Sequence, residues 1–348
     1  AAHPKQDEIN FIKEENDAIR SQLHDLKGKE KGLAHRDINK NFREIRDIEQ
    51  KIFDDVLSKS EVVCCTNIGA GHFTLSNRKF SIVLIDEATQ ATEPSSLVPI
   101  VKGARQLILV GDHKQLPPTV TSQSAESSGL SISLFDRMLK NGMTAHMLTK
   151  QYRMHPTIRE FPSARFYDNR LEDGCSAIER PPAAGFLWPD WDKPVAFVPV
   201  HGSEIHEDAG SSRSNMDEAA MVIQVVRDLL LPGDLKIEDI GIISPYAGQV
   251  RLLREMLGDD FHSLEVKTVD GYQGREKDII ILSTVRSNSE GKVGFLSNYR
   301  RLNVALTRAK RGLIVIGDDR TLRNDSTWDS WLGWVEDSKL MAWHILNS

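Results

Sequence analysis

The sequence predicts an α/β protein built on a mainly parallel sheet, and three observations lead there. Short apolar runs appear from about residue 61 and alternate with longer stretches of helical spacing, the rhythm of strands joined by covering helices. Several runs are continuously apolar rather than alternating, as strands buried on both faces are. One of them, Ile82-Val83-Leu84-Ile85, ends in Asp86-Glu87. An acidic pair there lies where open α/β sheets hold their ligands.

The elements follow in order. Over residues 5–58, Ile12, Ile19 and Leu26 recur every seven residues, as do Ile38, Ile45 and Ile52, with Phe42 and Val56 as expected partner positions and Gly28 and Gly32 between the runs. This spacing predicts two helices with one narrow apolar seam each, joined by a short turn into a hairpin. Strands are expected at 61–65, 82–85, 107–110, 195–200, 240–243, 264–268, 279–283 and 313–316. Helices are expected near 131–140, 215–230, 246–257, 299–308 and 328–335. The run Val62-Val63-Cys64-Cys65 reads as a buried strand with inert core cysteines. Residues 172–214 are rich in Gly, Pro and Ser and read as an irregular insertion or surface loop.

The chain has 348 residues, 40% hydrophobic and 27% charged, with a net charge of −6. That composition is globular, and no apolar run approaches the roughly 20 residues of a membrane helix. Three cysteines are too few for a disulfide scaffold or a zinc site. The expected setting is intracellular, cytoplasmic or nuclear, with no membrane partner. The acidic balance argues against broad adhesion to nucleic acid, yet residues 299–311 concentrate five cations in thirteen positions. Net charge bounds the mean field, not the field of one groove.

Five clusters carry chemistry. After the first strand comes Asp86-Glu87-Ala88-Thr89-Gln90. A carboxylate there can hold Mg²⁺ and its neighbour can orient water. The run Leu107-Ile108-Leu109-Val110 leads, as another buried strand, into Gly111-Asp112-His113-Lys114-Gln115. A neutral amide such as Gln115 can bond water and a phosphate oxygen together. In Gln151-Tyr152-Arg153-Met154-His155-Pro156, Arg153 offers a forked cation before a Pro-started helix and Tyr152 a stacking ring. The loop Thr268-Val269-Asp270-Gly271-Tyr272-Gln273-Gly274-Arg275-Glu276 has two glycines whose N–H groups can face an anion. In Arg301-Leu302-Asn303-Val304-Ala305-Leu306-Thr307-Arg308, Leu302, Ala305, Leu306 and Ala309 form one apolar helical face, outside which Asn303 and Arg308 fall.

Taken together and in this order, the clusters resemble the motifs of superfamily 1 helicases, in the group containing the nonsense-mediated-decay helicase and senataxin. The resemblance runs from about residue 60 to 320. It implies a RecA-like P-loop NTPase core: a C-terminal part of a first RecA-like domain over residues 61–130 and a complete second one over 131–348. Residues 1–60 would form a helical stalk before them. ATP and Mg²⁺ would serve as cofactors in the cleft between the domains, with single-stranded RNA or DNA across the top and protein regulators as further partners. The implied roles are Asp86 on the metal, Glu87 on the attacking water, Gln115 at the γ-phosphate, and Arg153 and Arg308 as arginine fingers. Tyr152, Gly274 and Glu276 would contact the nucleotide, and Thr66 and Thr268 the nucleic-acid strand. The implied activity is 5′ to 3′ movement driven by ATP hydrolysis, on RNA in preference to DNA.

One expected part is missing. No Gly-x-x-x-x-Gly-Lys-Ser/Thr phosphate loop occurs; the Gly-Lys pairs at 28–29 and 291–292 lack its other residues. Two readings follow: a C-terminal portion of a helicase, inactive without the phosphate loop, or a non-hydrolysing nucleic-acid or protein adaptor on the same fold. Retention of Asp86, Glu87, Gln115, Arg153 and Arg308 together favours the first.

Overall fold

Two long polar segments with isoleucines at helical spacing can bury their apolar stripes against each other, and they do. In the computed structural model, which describes residues 3–206 and 212–343, α1 (Gln6–Gln22) and α2 (Gly28–Lys59) form a hairpin. Ile9, Ile12, Ile45 and Ile48 make its small core, with Ile52 packed on the edge. The partner positions differ from expectation. Asn41 and Ile48 are buried, whereas Phe42 and Val56 are exposed. The seam on α2 therefore steps 38, 41, 45, 48, and Phe42 instead packs under the Arg20 guanidinium, 5.4 Å from its ring centroid. Gly32 lies inside α2 and does not interrupt it.

The chain forms two compact units, Ala1–Gly111 with Ser122–Leu134, and Asp112–Thr121 with Phe135–Ser348. The division falls between the Gly and the Asp of the Gly111-Asp112 cluster.

In the first unit, β1 (Ile82–Ile85), α3 (Glu93–Ile100) and β2 (Gln106–Leu109) form a parallel pair of strands with its crossover helix; α4 (Gln123–Ser127) follows. The expectation of strands buried on both faces fails here. Val83 and Ile85 are buried, but Ile82 and Leu84 are each 59% exposed, as are Leu107 and Ile108 in part. Full burial needs covering elements on both faces, and among the described residues of this unit only one face has them. The predicted strand at 61–65 does not form either, and Cys64 and Cys65 are exposed. A strand needs a partner for its N–H and C=O groups, and none lies beside this segment among the described residues.

The second unit carries the expected parallel sheet. Its elements are α5 (Leu134–Lys140), β3 (Lys150–Gln151), α6 (Pro156–Phe166), β4 (Glu172–Asp173), β5 (Val195–Pro199), β6 (Glu204–His206), β7 (Arg213–Asn215), α7 (Met216–Leu230), β8 (Ile240–Ser244), α8 (Ala247–Leu257), β9 (Glu265–Thr268), β10 (Lys277–Ser283), α9 (Tyr299–Leu306), β11 (Ala309–Gly317), α10 (Asp319–Leu322) and α11 (Ser326–Asp337). Five strands pair in parallel in the order β5-β11-β10-β8-β9. Odd and even residues are both buried because each face has its own core. Phe197, Ile280, Leu282 and Val315 meet Phe161, Leu302, Trp328 and Trp331 on one side. Val198, Ile242, Ile281 and Ile314 meet Val222, Val226 and Leu253 on the other.

The 172–214 stretch is less loop-like than expected. It contains β5 and the β6–β7 antiparallel hairpin, although residues 207–211 lie outside the described residues. Phe186 and Trp188 belong to the second core. The Trp188 indole N–H donates to the Ala183 carbonyl at 2.9 Å. Its ring lies against Gly312 of β11, where a Cβ would come within 2.6 Å of it. Trp191 stays 55% exposed.

Candidate active site

The first unit's carboxylates are placed by the end of β1. Asp86 and Glu87 follow Ile85 directly, and both are exposed. The Glu87 N–H donates to Asp86 Oδ1 at 3.0 Å, which leaves the other Asp86 oxygen for a ligand. Glu87 takes φ +51°, a left-handed conformation that a non-glycine residue adopts at a cost and that clusters at functional sites. The turn is secured by the Ala88 N–H donating to Val110 O at 2.7 Å and by the Gln90 amide donating to Glu87 Oε2 at 2.6 Å. Glycine suits position 111, because a Cβ there would lie a tight 3.0 Å from the Thr89 backbone nitrogen. In the same unit Thr66 Oγ1 accepts from the Gly69 N–H at 3.0 Å.

In the second unit Thr268, the last residue of β9, repeats that local device: its hydroxyl accepts from the Gly271 N–H at 3.3 Å. Gly274, farther along the loop, has φ +71° with open space where a Cβ would stand. The loop returns to the sheet at Glu276, just before β10.

Glu276 and Arg153 meet. Arg153 Nε donates to Glu276 Oε2 at 2.6 Å, and one Arg153 Nη donates to the Thr307 carbonyl at 3.0 Å. Lys310 Nζ lies 3.0 Å from the other Glu276 oxygen. Burial pushes the Glu276 carboxyl up, but the bonds from Arg153 and Lys310 outweigh it and hold the group below its ordinary value. Gln151 Oε1 accepts from the Arg153 and Met154 N–H groups at 3.0 and 2.7 Å. Arg180 donates to the carbonyls of Tyr152 and Arg153, each at 2.9 Å. Tyr152 itself is 66% exposed, its ring available for stacking.

Arg308 and Gln115 also meet. An Arg308 Nη donates to Gln115 Oε1 at 3.2 Å, and Nε donates to the Val304 carbonyl at 3.0 Å. The Gln115 amide N–H donates to Asp112 Oδ2 at 2.9 Å, which also accepts from the Tyr167 hydroxyl at 2.6 Å. Asn303 Nδ2 donates to that same hydroxyl at 2.7 Å and to the Lys114 carbonyl at 3.0 Å. Burial, with the Asp112 charge beside it, pushes the Tyr167 phenol well up. Sequence reasoning missed Asp112, Tyr167 and Lys310. Asn303 had one signal, its place outside the apolar face of its helix; Tyr167 had none.

The first unit thus presents acidic residues at a strand end, and the second holds forked cations in short polar networks. AAA-domain family models match residues 2–123 and 130–320. The second spans more than half of the chain, so the chain belongs to the AAA-domain family. Among similar curated proteins are the "Regulator of nonsense transcripts 1 homolog" of Drosophila melanogaster, 43% identical over 87% of this chain and 26% of the relative; the "ATP-dependent helicase NAM7" of Saccharomyces cerevisiae, 44% over 79% and 29%; and the "Probable helicase MAGATAMA 3" of Arabidopsis thaliana, 43% over 78% and 35%. Within its family the chain is one of the Upf1-like superfamily 1 helicase sequences, with the RecA-like fold class expected of them. It spans only about a quarter to a third of the length of these relatives.

Proposed function

We infer that the chain is part of an ATP-dependent helicase or translocase that moves 5′ to 3′ on single-stranded nucleic acid, RNA in preference to DNA. The Arg308–Gln115–Asp112 network supports this reading most. It holds a buried guanidinium and a neutral amide against each other, a pairing suited to stabilising phosphoryl charge and reporting its arrival. Arg153, braced by Glu276 and Thr307, adds a second forked cation. Glu87 serves as the water-orienting carboxylate, its side chain steered by Gln90. Asp86, an exposed hard-oxygen donor with one oxygen outside the turn's hydrogen bonding, fits Mg²⁺, which usually takes one or two carboxylates beside phosphate and water oxygens. When bound, that ion would neutralise phosphate charge. Tyr152 offers its ring to the adenosine, Glu276 a carboxylate oxygen to its polar groups, and Gly274 an unobstructed backbone. Thr66 and Thr268, each opening a short turn, are the strand-contacting positions in this reading.

The phosphates need a further grip, because the sequence holds no phosphate loop. In this reading a Gly-rich Lys-Ser/Thr segment outside these residues supplies it, and the chain alone hydrolyses ATP slowly or not at all. That same gap favours the adaptor reading. Against it stand Asp86, Glu87, Gln115, Arg153 and Arg308, for which an adaptor has no use. ATP turnover with and without single-stranded RNA or DNA decides. Joined to a phosphate-loop segment from its own gene, the chain is expected to gain strand-stimulated hydrolysis that Arg308→Ala lowers by about 10³-fold or more. Turnover by the chain as given, unaffected by Glu87→Gln, would sink this assignment.

A further inference from the structure

We propose that a cleft in the second unit, apart from the residues assigned above, is a phosphodiester subsite for single-stranded nucleic acid; this rests on the strand-binding reading of the function. The cleft measures about 200 Å³ and is lined by Lys114, Arg165, Phe166, Tyr299 and Thr327. Its charge is the first argument. Several arginines of this unit face carboxylates: Arg159 pairs with Asp173, Arg301 with Asp270, Arg311 with Asp234 and Asp278, and Arg323 with Asp329 and Glu336. Among the described residues, neither Lys114 nor Arg165 is ion-paired with a carboxylate, and Arg165 makes only a 3.5 Å bond to Thr327 Oγ1. The acids nearest in sequence are already engaged. Asp112 accepts from the Lys114 N–H, Gln115 and Tyr167, and Asp325 Oδ1 accepts from the Thr327 and Trp328 N–H groups. Two like charges converging on a concave surface without a counter-charge favour an anion.

The walls say which anion. Tyr299 opens α9, is 40% exposed, and stacks on Phe166 with ring centroids 6.1 Å apart at 24°. The Arg300 guanidinium lies 5.8 Å from the Tyr299 centroid. An aromatic rim beside a cationic floor is how single strands are held without regard to sequence, phosphate below and base on the ring. The volume is below the roughly 300–1,000 Å³ of pockets that enclose whole ligands of nucleotide size, so it suits one phosphate with its sugar and not an engulfed ATP. The position agrees. Arg301, two residues beyond Tyr299, bonds Asp270 at 3.1 and 3.2 Å, which joins the start of α9 to the turn of Thr268. The Lys114 backbone at the cleft is pinned on both sides, its N–H on Asp112 at 2.9 Å and its carbonyl by Asn303 at 3.0 Å.

Fluorescence anisotropy with labelled oligouridylate and oligodeoxythymidylate across a salt series tests the subsite. The comparison is between the chain as given, Lys114→Gln/Arg165→Gln, Tyr299→Ala and Thr268→Val, with circular-dichroism melts confirming that each is folded. The double variant is expected to weaken binding about tenfold and to flatten the logarithmic salt slope by about 0.7, the loss of one phosphate contact on a single strand. Tyr299→Ala is expected to weaken binding about tenfold with the slope unchanged. Unchanged affinity and slope in the double variant, while Thr268→Val weakens binding, would overturn the subsite and leave the strand-binding reading standing. An effect of the double variant confined to the displacement of a fluorescent ATP analogue would overturn it in favour of a nucleotide site. No strand binding by the unsubstituted chain would overturn both.

Discussion

The two sheets of this protein are made from strands of the same composition and end up in opposite circumstances. Ile82-Val83-Leu84-Ile85 in the first unit and Ile279-Ile280-Ile281-Leu282 in the second are equally apolar. The first is buried on one face only, whereas the second is buried throughout. Composition therefore sets what a strand can tolerate, and the covering elements decide what it experiences. The carboxylates near the strand ends diverge in the same way. Asp86 and Glu87 stand in solvent after β1. Glu218 of α7 is fully buried near the end of β10, where it accepts from the Ser283 hydroxyl at 2.7 Å and the Val285 N–H at 2.8 Å. Burial pushes its pKa up to about 8, against the pull of those bonds. Exposure suits an acid that must meet ions and water; burial suits one that braces a backbone, here Val285 at φ +73°.

The largest expected effect lies in the covered sheet. Ile281→Ala opens a cavity against two neighbouring strands and should cost about 2–5 kcal/mol, read from urea unfolding midpoints; a loss well under 1 kcal/mol would erase the contrast between the sheets. Glu218 sharpens it next. A carboxyl whose pKa is raised on folding keeps its proton while the unfolded chain releases one, so its contribution declines as pH rises from the ordinary carboxylate range to about 8. Glu218→Gln has no proton to release, and its stability relative to the parent should rise across that window; parallel curves from about pH 5 to about pH 8 would show that the group is ionised in the fold. The smallest effect belongs to the open sheet. Leu84→Ser should change stability by no more than about 0.5 kcal/mol while lowering the binding of an apolar dye to the chain. A loss comparable to that of Ile281→Ala would mean that Leu84 is covered in solution.

This contrast also explains what could be read from the residues alone. The strands of the second unit are legible because burial on both faces leaves continuous apolar runs, and each forms within a few residues of its expected span. The same signature misleads at 61–65 and on the outer faces of β1 and β2, since a run of apolar residues does not state whether anything will cover it. Phe42 misleads because a helix seam offers adjacent choices and the buried Asn41 took the place. The 172–214 stretch reads as loop because its two buried rings, Phe186 and Trp188, sit among prolines and glycines with no periodicity. Candidate site residues inside short clusters, such as Glu87, Gln115, Arg153 and Arg308, carry a chemical signal of their own. Tyr167 and Glu218 do not: each matters through partners 55 or more residues away in sequence.

The contact of Trp188 with Gly312 reaches beyond packing. A loop on a protein surface normally opens on its own, with a free energy far below that of the whole fold. This one has a ring seated on β11 where Gly312 lacks a side chain, and its indole N–H closes back on the loop itself. To leave, it must give up a large apolar area and uncover β11. Residues 183–188 are therefore expected to open only with the sheet, their backbone amides exchanging with its cooperativity instead of that of the loops around them.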